Sequence, residues 1–130
     1  MLQATLSAFA PTRLLYVSRR LSHVSDAVVR GLTAHAAERN AALRVSGLLL
    51  VGPDWFVQLL EGEQRCVDCT YRRIERDTRH TEVRLLEHAV SETQICPEWG
   101  MALATKLPPG FDPRQLSAAE LLRIVAELAQ

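Results

Sequence analysis

The run Trp55-Phe56-Val57-Gln58-Leu59-Leu60-Glu61-Gly62 constrains the fold more than any other stretch of the chain. Strand side chains alternate between faces, so Trp55, Val57 and Leu59 share one face and Phe56, Gln58 and Leu60 the other. A strand that is apolar on both faces belongs in the middle of a sheet covered on both sides. Gln58 is then an amide set among large apolar neighbours. Left without partners it costs about 1–3 kcal/mol, so a protein group or a ligand has to meet it.

The flanking sequence supplies the rest of a sheet. Residues 1–11 read as a loosely ordered leader ending at Pro11, and Thr12 to Ser18 as a first strand. Ser25 is an N-cap for a helix to about Asn40, with Asp26 in its first turn. Val28, Leu32 and Ala36 recur on one face of that helix, and Asn40 suits a left-handed terminator. Val45 to Val51 forms a second strand, and the turn Gly52-Pro53-Asp54 joins it to the Gln58 strand as an antiparallel hairpin. A second helix runs from about Gln64 to Asp77 with Val67, Tyr71 and Ile74 as its buried stripe. Val83 to Glu92 and Glu98 to Leu103 are the fourth and fifth strands. Pro108-Pro109-Gly110 breaks the chain, and the capping box Ser117-Ala118-Ala119-Glu120 opens a final helix. The order β-α-β-β-α-β-β-α predicts a ferredoxin-like α+β sheet with two helices on one face. The final helix, or a partner chain, covers the other face. The expected organisation is a leader over 1–11, one domain over 12–104 and a C-terminal helical extension over 105–130.

Composition narrows the function. With 130 residues, 48% of them hydrophobic and 23% charged, the chain is long enough for a core and reads as a soluble globular protein. Its formal net charge of zero gives no general attraction to nucleic acid or to anionic membranes. No apolar run approaches the roughly 20 residues of a membrane span. Arg13, Arg19 and Arg20 follow the N-terminal apolar residues, the wrong order for a secretory signal. The three cysteines are an odd number and no disulfide framework, which favours a cytoplasmic location.

Most of the conventional chemistry is missing. Cys66 and Cys69 form a C-x-x-C pair, but no second pair completes a zinc site, and packing or exposed thiols is the simpler reading. Cys96 reads as a small apolar residue. His23, His35, His80 and His88 lack the spacing of a helical zinc site, so surface or structural roles are expected and no metal is predicted. There is no nucleophile elbow and no glycine-rich phosphate loop. Arg73 and Asp77 have the i,i+4 spacing of a surface ion pair. Tyr16 shares a strand face with Leu14 and Ser18, and a buried phenol needs a partner as a buried amide does. Tyr16 and Gln58 can satisfy one another. Trp99 and Met101 alternate on one face of the last strand.

The ordered set of these residues resembles the BLUF family, the sensors of blue light using flavin. The resemblance runs from about Arg13 to Ala104. It rests on Leu15-Tyr16-Val17-Ser18, on Arg39-Asn40 followed by Val45-Ser46-Gly47-Leu48-Leu49-Leu50, and on Phe56-Val57-Gln58-Leu59-Leu60-Glu61-Gly62. Tyr71-Arg72-Arg73-Ile74-Glu75-Arg76-Asp77, Arg79-His80 and Trp99-Gly100-Met101 complete it. The chain departs from the family at Cys96, where a Phe is usual, at Arg44, where a Gly is frequent, and at Pro97.

The resemblance implies a ferredoxin-like fold with a flavin between the two helices and the C-terminal helix on the opposite face. It implies that Tyr16 and Gln58 are the photochemical pair and that Asn40 binds the polar edge of the flavin. It places Arg73 and Asp77 near the pyrimidine side of the ring, Leu32 and Ile74 against its faces and Arg39 at a variable position within reach. Trp99 and Met101 fall on the strand that relays the signal. In the implied cycle Tyr16 gives up and recovers an electron and a proton while Gln58 rearranges, shifting absorption to the red. The implied cofactor is FAD, with FMN and riboflavin as alternatives. The implied protein is a short, stand-alone photoreceptor without an enzyme domain. It signals to a separate downstream protein, forms a homo-oligomer, and contacts neither nucleic acid nor membrane. Two other readings of the residues are a light-independent flavin redox protein and a ferredoxin-like regulatory module without a chromophore.

Overall fold

A computed structural model of the chain describes residues 11–96 and 100–129. The expected leader, apart from Pro11, lies outside the described residues, as do Pro97 and Glu98 at the expected start of the fifth strand. The elements are β1 (Thr12–Arg20), α1 (Asp26–Leu43), β2 (Ser46–Val51), β3 (Trp55–Gly62), α2 (Gln64–Glu75), β4 (His80–Val90), β5 (Ala102–Ala104) and α3 (Ala118–Leu128). A single 3₁₀ turn, Pro113–Gln115, precedes α3.

The doubly apolar strand sits in the centre. The sheet order is β4-β1-β3-β2-β5, so β3 pairs antiparallel with β1 on one side and β2 on the other. All eight residues of β3 are buried. Strand β4 adds to β1 antiparallel, and β5 adds to β2 in parallel. This is the ferredoxin-like arrangement with one extra edge strand.

Each face of the sheet has its own cover. Leu15 and Val17 of β1, Leu48 and Leu50 of β2, and Trp55, Val57 and Leu59 of β3 pack with Leu121 and Val125 of α3. That helix begins with the full capping box: Ser117 accepts from the Glu120 backbone N–H and Glu120 accepts from that of Ser117. On the other face Leu14, Tyr16 and Leu60 pack with Val67 of α2, and Phe56 packs with Val29 of α1. The sheet thus separates a largely apolar layer under α3 from a layer, under α1 and α2, that contains Tyr16 and Gln58.

The helices and the outer strands differ from expectation in their limits. Helix α1 does not stop at Asn40 but runs to Leu43, with Arg44 as its left-handed cap at φ 55°. The extra turn brings Leu43 against the core beside Val45, and that burial outweighs the mild terminator preference of Asn. Its buried stripe is Val29, Thr33 and Asn40, while Val28 is 42% exposed. Hydrophobic periodicity misses this face because two of its residues are polar: the Thr33 hydroxyl is satisfied by donating to the Val29 carbonyl at 2.8 Å. Strand β1 extends to Arg20, whose buried guanidinium donates to the carbonyls of Val24 and Gly52 and to Asp26. Helix α2 stops at Glu75, short of Asp77. Strand β4 starts earlier than expected, at His80, and β5 is only Ala102–Ala104.

Leu121 is fully buried where α3 meets the sheet. Replacing it with Ala is expected to lower unfolding stability by about 2–4 kcal/mol, read by chemical denaturation, because the cavity is framed by rigid strands.

Candidate functional site: a cleft between two helices and the sheet

A cleft of about 390 Å³ opens between α1, α2 and the sheet, within the size range of small-molecule sites. Tyr16, Leu49, Phe56 and Gln58 contribute from the sheet. Leu32, Thr33, Arg39 and Asn40 contribute from α1, and Thr70, Arg73 and Ile74 from α2. Asp77, Arg79 and His80 line it where α2 gives way to β4, and Met101 lines it just ahead of β5. The structure therefore gathers around one cleft Tyr16, Leu32, Arg39, Asn40, Gln58, Arg73, Ile74, Asp77 and Met101, which are far apart in sequence. Trp99 lies outside the described residues.

Register brings the central pair together. Tyr16 of β1 stands directly opposite Gln58 of β3. Both are almost fully buried, at 2% and 5% exposure. The Tyr16 hydroxyl donates to Gln58 Oε1. Gln58 Nε2 in turn donates to Met101 Sδ at 3.5 Å. The stranded amide of the sequence thus accepts from a phenol at one end and donates to a thioether at the other. Burial, with smaller contributions from Tyr71 and Asp77, pushes the Tyr16 phenol well above its ordinary value of 10.0, so it holds its proton.

Asn40 is 2% exposed, lines the cleft, and its Nδ2 has no hydrogen-bond partner in the protein. A buried amide donor left unpaired costs about 1–3 kcal/mol, which marks this as a place for an acceptor carried by a ligand. With apolar Leu32 and Ile74 on the facing helices, the donor set fits a flat, largely apolar ring with polar atoms on one edge, as a flavin has.

Asp77 is not paired with Arg73. It lies beyond Arg76, the cap of α2, so the i,i+4 geometry of a helix does not reach it. Its carboxylate instead accepts from the Arg79 backbone N–H at 2.9 Å and from the Arg79 guanidinium at 2.9 and 3.1 Å. Arg73 is left exposed on the rim. Arg79, His80, Thr33 and Thr70 also line the cleft without having been assigned to the site from sequence. The Asp77-Thr78-Arg79 spacing, a side chain bonding two residues on, was the available signal for Arg79. His80, quoted in the family motif without an assigned role, is buried, with Nε2 2.7 Å from the Ile74 carbonyl and Nδ1 2.7 Å from Ser18 Oγ. The Ile74 carbonyl only accepts, so Nε2 carries a proton, and in the neutral ring Nδ1 accepts from the Ser18 hydroxyl.

Neither C-x-x-C cysteine lines the cleft. Burial and Glu63 push the Cys66 thiol up, which disfavours thiolate, and Cys69 is exposed. Among the described residues no group of three or more His, Cys, Asp or Glu is placed to hold a metal, and no helix is long and apolar enough to cross a membrane.

A helix-walled cleft whose floor carries a buried phenol–amide pair defines a class of flavin-binding light sensor. The family model for sensors of blue-light using FAD, BLUF, matches residues 12–102, and the chain belongs to that family. Photoactivated adenylate cyclase subunit beta of Euglena gracilis is 32% identical over 119 residues, covering 90% of this chain. Its counterpart in Euglena longa is 31% identical over the same length. The chain spans 14% of the length of each of these curated relatives. Among solved structures, BlrB, a BLUF protein in its dark state, is 25% identical with a TM-score of 0.82, covering 92% of this chain and 95% of that one. BlsA in its photo-activated state, at 24% identity, shares the fold with a TM-score of 0.83 over 92% of this chain and 94% of its own.

The raised phenol has a consequence for stability. The folded protein keeps the Tyr16 proton where the unfolded chain releases it. That contribution is fully present below pH 10.0 and is lost as pH rises from there toward the folded value. Between pH 9 and pH 11 the protein is expected to lose stability more steeply than its Tyr16→Phe variant, by up to about 1.4 kcal/mol per pH unit. Thermal unfolding midpoints of the two proteins across that range check it.

Proposed function

We propose that this chain is a blue-light photoreceptor domain that holds FAD non-covalently in the cleft and signals by rearranging the Tyr16–Gln58–Met101 hydrogen bonds. The observation that carries the reading is the Gln58 amide, held between a phenol and a thioether beside the unpaired Asn40 donor. On this reading Asn40, Arg73 and Asp77 meet the polar edge of the ring, Leu32 and Ile74 cover its faces, and Arg39 reaches it from the rim. FMN or riboflavin would meet the same ring contacts.

A bound flavin supplies the blue-light absorption and, once excited, a strong oxidising power. The remaining work belongs to the chain. Tyr16 is neutral and already directed at an acceptor, so its proton can leave along an existing hydrogen bond and come back. Gln58 is planar with acceptor and donor at opposite ends. A half-turn about its last side-chain bond, or a tautomeric shift, exchanges what each neighbour is offered. The Tyr16 hydroxyl then loses its carbonyl acceptor and Met101 loses its N–H donor. Burial of Phe56 and Leu60 on the same strand face keeps water from competing for these bonds. A charged residue at position 58 would not offer both a donor and an acceptor.

Met101 carries the change to the edge strand β5. With Trp99 it forms the proposed relay. The outlet is a protein contact, to a separate downstream signalling protein or a second copy of the chain. The cycle returns every residue to its starting state and leaves no product, so the domain acts as a sensor rather than as an enzyme. Residues 12–104 hold the sensor in this division, and residues 105–130 form the extension that closes the far face of the sheet.

The purified protein, loaded with FAD, is expected to be yellow and to show a reversible red shift after a blue flash that decays in the dark. Gln58→Leu, which keeps the apolar bulk and removes both hydrogen-bonding ends, is expected to bind flavin and show no shift. A persistent reversible shift in Gln58→Leu sinks the switch assignment. Irreversible bleaching of the parent would point to redox chemistry instead, and a colourless protein that takes up no flavin would remove the reading altogether.

A further inference from the structure

Glu61 lies on β3 three residues beyond Gln58, on the opposite face of the sheet, and is 0% exposed. It does not line the cleft. A carboxylate this deep persists only where donors and a cation offset its lost hydration. Glu61 has both. It accepts from the Ile95 backbone N–H at 2.8 and 2.9 Å and from the Cys96 N–H at 2.7 Å, while Arg13 Nε stands 3.5 Å away. The same arginine donates to the Thr93 carbonyl at 3.0 Å. Gln94 Nε2 donates to Ser46 Oγ at 3.3 Å. Residues 93–96, in the connection from β4 to β5, are thus tied to β1, β2 and β3 together.

The same connection is held again further along. Gly100 N–H donates to the Val45 carbonyl at 2.8 Å, and Met101 Sδ accepts from Gln58. Strand β3 therefore grips it at two points on opposite faces of the sheet. The Gln58 grip is a neutral N–H···S contact, the weaker kind. The Glu61 grip is charge-assisted, the stronger kind.

We infer that Glu61 is a positioning residue, the charged anchor of a tether fastened also at Gly100, which returns Met101 to Gln58 after light and so contributes to the lifetime of the light-shifted state. The inference rests on the photoreceptor reading above. When Gln58 releases Met101, the connection stays fastened at Ile95 and Cys96 through Glu61 and at Gly100 through Val45, and together these hold Met101 at high effective concentration near its dark-state partner. Loosening the anchor lowers that concentration and slows the return.

The test uses the full chain. Glu61→Gln keeps the size, removes the charge and turns an NH₂ group toward backbone donors. It is expected to leave the dark spectrum of the flavin-loaded protein unchanged and to slow dark recovery by about threefold or more. Amide exchange at Ile95 and Cys96 is expected to rise by about tenfold, with or without flavin. Leu122→Ala, in the same apolar cluster as Ile95 and Cys96 but with a side chain that makes no hydrogen bond to them, serves as a control that lowers stability while leaving the Glu61 hydrogen bonds in place, and its recovery is expected to match the parent. If Glu61→Gln does not fold, Arg13→Met loosens the cluster from its other side and is expected to shift both readouts in the same directions. Recovery equal to or faster than the parent, unchanged exchange at Ile95 and Cys96, or an equal slowing in Leu122→Ala overturns the anchor. A parent protein that never shifts in light defeats the photoreceptor reading itself, and the exchange measurement still decides whether Glu61 fastens the connection.

Discussion

The hydrogen bond from Tyr16 to Gln58 is the constraint on which the rest of the site depends. A strand buried on both faces has no water to offer an amide, and Gln58 has two ends to satisfy. Antiparallel pairing of β1 with β3 places the phenol directly opposite, and Met101 meets the other end. The pair satisfies the core without burying a charge, which is what the proposed switch requires. A salt bridge in the same position would hold one arrangement, and an apolar pair would hold none.

The surrounding architecture follows from keeping that pair dry and accessible to one ligand. Helix α3 covers the far face of the sheet with Leu121 and Val125, and the cleft that holds the phenol–amide pair lies on the near face. Helices α1 and α2 stand apart there and leave the cleft between them. Gly47 of β2 contributes by its lack of a side chain: a Cβ there would fall 2.2 Å from the Leu59 carbonyl and 3.0 Å from the Met101 methyl. The close approach of β2 to β3, with Met101 packed over Gly47, is thus built into the backbone. Glu61 extends the logic to the other face, where a buried charge fastens the connection that carries Met101.

Much of this was legible in the residues. The alternation in Trp55–Gly62 implied a central strand and two covered faces, and the Ser117–Glu120 box marked the helix that supplies the second cover. The pairing of Tyr16 with Gln58 followed from two buried polar groups in need of partners. The misreadings have one cause. Helix α1 turns a partly polar face inward, so periodicity selected Val28 rather than Val29 and Thr33, and Asn40 looked like a terminator although it sits inside the helix over the cleft. Asp77 was read by helical spacing although α2 ends before it. Local rules describe a helix in isolation, whereas these residues answer to a neighbouring cleft.

The sequence by itself determined the order of elements, the two-faced burial of β3 and the resemblance to the BLUF family, because periodicity, caps and ordered motifs are local properties of the chain. The tertiary structure decided which groups meet. The register that sets Tyr16 against Gln58 and the unpaired Nδ2 of Asn40 are set by distances between segments. So is the fastening of Ile95 and Cys96 by Glu61, which the sequence shows only as one more residue of a strand. Hydrogen bonds act over about 3 Å, and no local pattern fixes a distance that short between residues more than thirty positions apart.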